Sequence, residues 1–160
     1  RQTWDVGDMD NRKKSLSRHA HYYRDLYEVS LVGAPLVRSK LLLTELDNFI
    51  SGVEYGFAED SFYCCGAAMM HFRLKGPMSR GIELSAKYLT RADLYKEIQI
   101  PIQMERITCL RVAGNLKQAK KEMQEILADE MEGQDTSYLI EESLLMVMDE
   151  YSNSSIIPSF

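Results

Sequence analysis

The chain has little that covalent or cofactor chemistry could use. Its three cysteines, Cys64, Cys65 and Cys109, are odd in number and two are adjacent, so they form neither a disulfide framework nor a CxxC metal or redox motif. A reducing intracellular setting follows, with the cytoplasm expected and the nucleus left open. No GxxxxGK[ST], GxGxxG or HExxH is present, which removes the common nucleotide and zinc-protease readings. Long apolar runs are missing as well: uncharged stretches such as Ser61 to Met70 fall far short of the roughly 20 residues of a membrane-spanning helix. Few segments show the strict alternation or β-branched enrichment of strands, so helices dominate. The first residue is Arg1 and no charged-then-apolar leader follows it, which reads as a processed or excised piece of a longer protein.

What is present is a length of 160 residues, enough for one domain that needs no covalent staples, with a formal charge of −5. That charge is unevenly placed. Residues 11 to 24 hold Arg12, Lys13, Lys14, Arg18 and Arg24 without a carboxylate, whereas residues 122 to 150 hold ten carboxylates without a Lys or Arg. The chain is electrically bipolar along its length, a property that could steer partners or orient neighbouring copies.

Proline and glycine cut the sequence into helical lengths. After a flexible or extended lead-in over 1–12, a first helix is expected from Lys13 to Val32, stopped by Gly33. A second runs from Pro35, a favoured first-turn position, to Gly52. A third is capped by Asp60 and ended by Gly76. The fourth starts at Pro77, with Met78, Ile82, Ser85 and Leu89 facing inward. Asp93 to Ile98 reads as a short turn of helix that Pro101 breaks or kinks, followed by a fifth helix up to Gly114 and a sixth carrying Leu116, Ala119 and Met123. A seventh helix is expected over about 136–150 and a loose tail over 151–160.

Two stretches superimpose without a gap. Phe72-Arg73-Leu74-Lys75-Gly76 matches Leu110-Arg111-Val112-Ala113-Gly114 at an offset of 38 residues, and a weaker copy centres on Gly33 at an offset of 43. Gly81, Ser85 and Tyr88 in one copy correspond to Ala119, Met123 and Ile126 in the next. A glycine in the left-handed conformation ends one helix, and a small residue one turn into the next lets the pair approach closely. Together these describe a helical hairpin. The stretch Leu110-x3-Gly114-Asn-Leu-Lys-Gln-Ala119-x3-Met123-x2-Ile126 resembles the second half of a tetratricopeptide repeat, closely over about 20 residues and loosely over about 95. The match is irregular: Cys65 and Gln103 stand at the repeat's large aromatic, Arg106 occupies a normally apolar place, and the closing proline is absent.

The resemblance implies an all-α fold of antiparallel helical hairpins, stacked as a short right-handed tetratricopeptide-like α-solenoid of about seven helices. It also implies a concave surface lined by the first helix of each pair, suited to a peptide or helix. Its groove positions fall at Met70 and Arg73 in one pair and at Met104, Thr108 and Arg111 in the next. The two arginines could grip an acidic peptide over a methionine floor, although arginine near a helix C-terminus also answers the dipole. The seventh helix offers a rival surface, since Leu139, Ile140, Leu144, Leu145, Met146, Val147 and Met148 spread apolar groups around it, with Leu145 and Met148 as candidate contacts. Either surface points to a non-catalytic scaffold or adaptor that binds another protein or a neighbouring solenoid segment.

Sharper readings carry less weight. His19-x-His21 points two ways on a helix and lacks a third ligand, so no metal is expected. Cys64 and Cys65 read as one buried and one half-buried small apolar residue. Cys109 with His71 could be imagined as thiol and base, but no orienting third group is identifiable, and neither a cofactor nor a small-molecule ligand is expected. The basic, tyrosine-bearing stretch from Arg12 to Arg24 supplies the alternative function, an adaptor for nucleic acid or anionic membrane. Arg12-Lys-Lys-Ser15, with Ser17 beyond, resembles a substrate of basophilic kinases, and phosphates there would reduce the positive end.

Overall fold

The computed structural model describes residues 6–130, and side chains from 11 to 128. Among these residues there are seven helices and no strand: α1 (Val6–Leu31), α2 (Pro35–Thr44), α3 (Leu46–Tyr55), α4 (Ala58–Lys75), α5 (Met78–Leu89), α6 (Lys96–Val112) and α7 (Leu116–Glu130). The expected helix over 136–150, with Leu145 and Met148, and the tail over 151–160 lie outside them. So do residues 1–5 of the expected lead-in, whereas residues 6–12 are helical and belong to α1.

The turns follow local chemistry. Gly76 and Gly114 take positive φ of 72° and 79°, which favours glycine, although Gly76 has an extended ψ of −176° rather than the left-handed helical value expected, and the Gly76 N–H closes onto the Phe72 carbonyl at 2.7 Å. Gly33 differs. Its φ is not left-handed, and the end of α1 is instead satisfied by Arg38, whose guanidinium donates to the Ser30 and Leu31 carbonyls at 3.3 and 3.1 Å. The first turn is therefore not the same device as the other two.

Three other boundaries depart from the expectation. The single helix expected over 35–52 bends at Glu45 (φ −106°, ψ 13°), whose carboxylate accepts from the Tyr23 hydroxyl at 2.9 Å and Asn48 Nδ2 at 2.7 Å. Asp60 is not a cap: α4 starts at Ala58, and the buried Asp60 carboxylate instead pairs with Arg24 of α1 at 3.1 Å. Pro101 lies inside α6 rather than breaking it. Buried Ile98 and Ile102 anchor the chain on both sides of the exposed proline, and packing of such residues offsets the missing hydrogen bond.

Helix packing is sequential. α3 lies against both α1 and α4, α5 against both α4 and α6, and α7 against α6, while α1 touches α4 and α4 touches α6 directly. α1, α4 and α6 thus form a contacting row, with α3 packed on α1 and α4, α5 on α4 and α6, and α2 touching α1, α3 and α4 more lightly. The main core gathers Phe49, Phe72, Met69 and Tyr88 with all three cysteines, each fully buried, so Cys64 and Cys65 are both interior rather than one of each kind. A second cluster, Ile107, Leu110, Ala119, Met123 and Ile126, joins α6 to α7. On α5 the inward face is Gly81, Leu84, Ser85 and Tyr88, leaving Met78, Ile82 and Leu89 only partly buried. Gly81 meets Phe72 so closely that a Cβ there would stand 3.2 Å from the Phe72 Cβ, the tight approach that the repeat pattern anticipates.

Candidate functional site

On α4 the unburied residues Glu59, Phe62, Tyr63, Gly66, Met70, Arg73 and Leu74 follow the three- and four-residue spacing of a single helix face, with Ala58 and Lys75 unburied at the helix ends. On α6 the corresponding stripe runs through Pro101, Met104, Thr108 and Arg111. α4 and α6 are direct neighbours, tied by an ion pair between Arg73 and Glu105. All five groove residues expected from the sequence, Met70, Arg73, Met104, Thr108 and Arg111, thus stand on one pair of adjacent helices.

Their side chains are partly committed. Arg73 Nη1 donates to Glu105 Oε1 of α6 at 3.1 Å, with both side chains about a third exposed, so this arginine holds two helices together as well as facing outward. Thr108 Oγ1 returns to the Met104 carbonyl at 3.0 Å. The Met70 sulfur receives the Tyr27 hydroxyl of α1 at 4.0 Å, which extends the surface toward α1. Arg106 explains a departure from the repeat pattern. At the normally apolar place it reaches the Glu122 carboxylate of α7 at 2.9 Å and the Ile82 carbonyl of α5, so a polar tie replaces an apolar contact.

Gly66 went unnoticed in the sequence. It lies in mid-helix on the open stripe, and a Cβ added to it meets nothing within 4 Å. A helical glycine costs up to about 1 kcal/mol relative to alanine. Gly66→Ala is therefore expected to raise the unfolding free energy by about 0.5–1 kcal/mol, read as a higher urea midpoint at unchanged m-value. A loss of stability would show that the position is packed.

Neither a protein-family model nor a curated protein nor a solved structure matches this chain. Its chemistry rests on its own residues. Burial pushes the Cys64 thiol up to about 12 and Cys109 up to about 11, raises Cys65 too, and lowers His71, with Lys75 adding to the last effect. Cys109 is thereby held as a thiol and His71 as a neutral ring, which is opposite to an activated thiolate and its conjugate acid. His19 packs against Tyr23 with ring centroids 4.7 Å apart and planes tilted by 50°, while His21 Nδ1 sits 3.2 Å from Asp60. Among the described residues no three His, Cys, Asp or Glu side chains are grouped to hold a metal, and no helix is long and apolar enough to cross a membrane.

The basic stretch divides in two. Arg24 is bound to Asp25 and Asp60, and Tyr23 packs on Phe49 while bonding Glu45, so both serve the fold. Arg12, Lys13, Lys14 and Arg18 are exposed, as is Ser15, and Ser17 is half-buried. Lys13, Lys14, Ser17 and Arg18 border a concavity, against the α3–α4 turn and Arg91.

Proposed function

We propose that this chain is a non-catalytic protein-interaction scaffold, an irregular tetratricopeptide-like α-solenoid whose α4–α6 face receives a segment of another polypeptide. The observation that carries the reading is Gly66, a mid-helix glycine with open space above it, in line with Met70 and Arg73. No internal packing requires a glycine there, and the lack of a side chain lets a partner backbone approach α4 closely. Methionines at 70 and 104 give an adaptable apolar floor, and Arg73 and Arg111 bring guanidinium groups to its edge, a combination suited to an extended peptide or a helix. The contacting row of α1, α4 and α6, with α3 and α5 packed across its successive pairs, supports the solenoid reading. Three buried free thiols support an intracellular setting.

The test is site-specific photocrosslinking in cells that express the full protein. A photoreactive residue at Thr108 is expected to trap a discrete polypeptide, while one at Lys117, on α7, does not. Adding Gly66→Tyr should abolish the Thr108 adduct, with thermal unfolding run alongside to verify that the variant folds. Equal trapping at Lys117, or an adduct indifferent to Gly66→Tyr, would remove this face from consideration.

A further inference from the structure

A separate concavity of about 720 Å³ opens where the first half of α1 meets the α3–α4 turn and the α5–α6 loop. We propose that it docks an acidic segment of a partner protein that carries an aromatic or aliphatic anchor between its carboxylates.

The anchor site is built from Leu16, Tyr55 and Phe57. Phe57 is 71 % exposed and Tyr55 49 %, although they stand at the end of α3 and in the turn after it, whose backbone is held at Gly56 by Arg91 and the Gly52 carbonyl. Fully burying a phenylalanine is worth roughly 1.5–3 kcal/mol, and the isolated chain leaves most of that unrealised. The carboxylate site is the rim formed by Lys13, Lys14 and Arg18. All three are exposed, and Arg18 Nε spends only a long 3.4 Å contact on the Lys14 carbonyl.

The two acidic groups that line the concavity among the described residues do not neutralise that rim. Asp93 is gripped by Arg91 at 2.7 and 2.9 Å, which also holds its carboxyl below the ordinary range, and Glu54 is paired with Lys87. Among the described residues the rim therefore keeps its positive charge. The far wall is preorganised, since Arg91 also donates to the Val53 and Gly56 carbonyls and to Ser61 Oγ at 2.7 to 2.9 Å, and binding to a rigid site forfeits less ordering entropy.

A peptide fits this chemistry better than a phosphate polymer or a bilayer. Three rim cations would release few counterions from a nucleic acid, and the chain as a whole carries −5. A flat lipid surface cannot enter a concavity. Separated carboxylates flanking one apolar side chain match both the rim and the floor.

Fluorescence anisotropy with the full chain tests this. The probe is a labelled synthetic peptide of about 14 residues with Glu on both sides of a central Phe-Leu pair. It should bind with a Kd of order 10 μM, and about tenfold more weakly at 0.3 M than at 0.05 M salt. Lys13→Glu combined with Lys14→Glu, and separately Phe57→Ser, should each weaken it about tenfold or more, whereas Lys117→Glu and Gly66→Tyr should leave it unchanged. All these positions except Gly66 are exposed, and thermal unfolding verifies that each variant folds.

The proposal is overturned by absence of binding at about 1 mM peptide, by equal binding of a peptide with Lys in place of Glu, or by indifference to the rim charges. It is also overturned if a single-stranded oligonucleotide or phosphatidylserine vesicles bind more tightly with the same dependence on Lys13 and Lys14. A tenfold gain in affinity on changing Glu141, Glu142, Asp149 and Glu150 to amides would assign the cleft to the chain's own acidic segment rather than to a partner.

Discussion

Arg91→Met is expected to lower the unfolding free energy by about 3–5 kcal/mol. Arg91 is only 21 % exposed and donates to four separate acceptors: the Val53 carbonyl, the Gly56 carbonyl, Ser61 Oγ and the Asp93 carboxylate. The first two belong to the last turn of α3 and its cap, where orphan carbonyls require a donor. Methionine preserves the aliphatic stem but leaves those carbonyls without the guanidinium, and each lost charge-assisted bond is worth about 1.5–3 kcal/mol before relaxation. Lysine should restore little, because a single ammonium cannot reach acceptors arranged around a planar fork. Asp93→Asn should cost under about 1 kcal/mol, since its half-exposed carboxylate contributes mainly through a solvated ion pair. Urea denaturation of the three variants separates these cases. A loss below about 1 kcal/mol for Arg91→Met would mean that water substitutes for the guanidinium.

Gly52→Ala is expected to destabilise by about 2 kcal/mol, against the direction helix propensity alone would give. A Cβ at this position would stand 2.5 Å from Cys64 Sγ and 3.1 Å from Cys64 Cβ, with the Ala20 backbone at 3.7 Å, because α1, α3 and α4 converge there. The clash is chiefly with one sulfur, so it has a specific remedy. Cys64→Ala alone should cost roughly 1–2 kcal/mol for the lost packing of a fully buried thiol. In the double variant the two losses should fail to add by about 1–2 kcal/mol, the coupling expected of residues in direct contact. Additive losses would show that α3 moves away from α4 rather than pressing on Cys64. The contrast with Gly66→Ala is informative, since the same substitution in two helices is expected to act with opposite sign according to what faces it.

The all-α class and the turns at Gly76 and Gly114 were legible because they depend on near neighbours. A glycine after an apolar-periodic run, followed by a small residue one turn later, states its own geometry. The placement of Met70 and Arg73 on one helix and of Met104, Thr108 and Arg111 on a neighbouring one follows from helical spacing and the 38-residue offset; that they form one binding face is part of the proposal. Pro101 as a break, Asp60 as a cap and the helix over 35–52 as unbroken were misread because local rules compete with distant partners. Ile98 and Ile102 hold the helix through the proline, Tyr23 and Asn48 fasten the bend at Glu45, and Arg24 takes the carboxylate that would otherwise cap α4.

The sequence by itself determined that this protein is helical, where two of its hairpins turn, and that its charge is split between a basic beginning and an acidic end. Only the tertiary structure decided which of those charges remain for a partner. Arg24 and Arg91 are consumed inside the molecule, Arg73 is shared with Glu105, and Lys13, Lys14 and Arg18 stand around an open aromatic cleft. The physical reason is range. Backbone hydrogen bonds and turn conformations are set within about four residues, whereas an ion pair or a close helix crossing joins side chains tens of residues apart and exists only once the helices are packed.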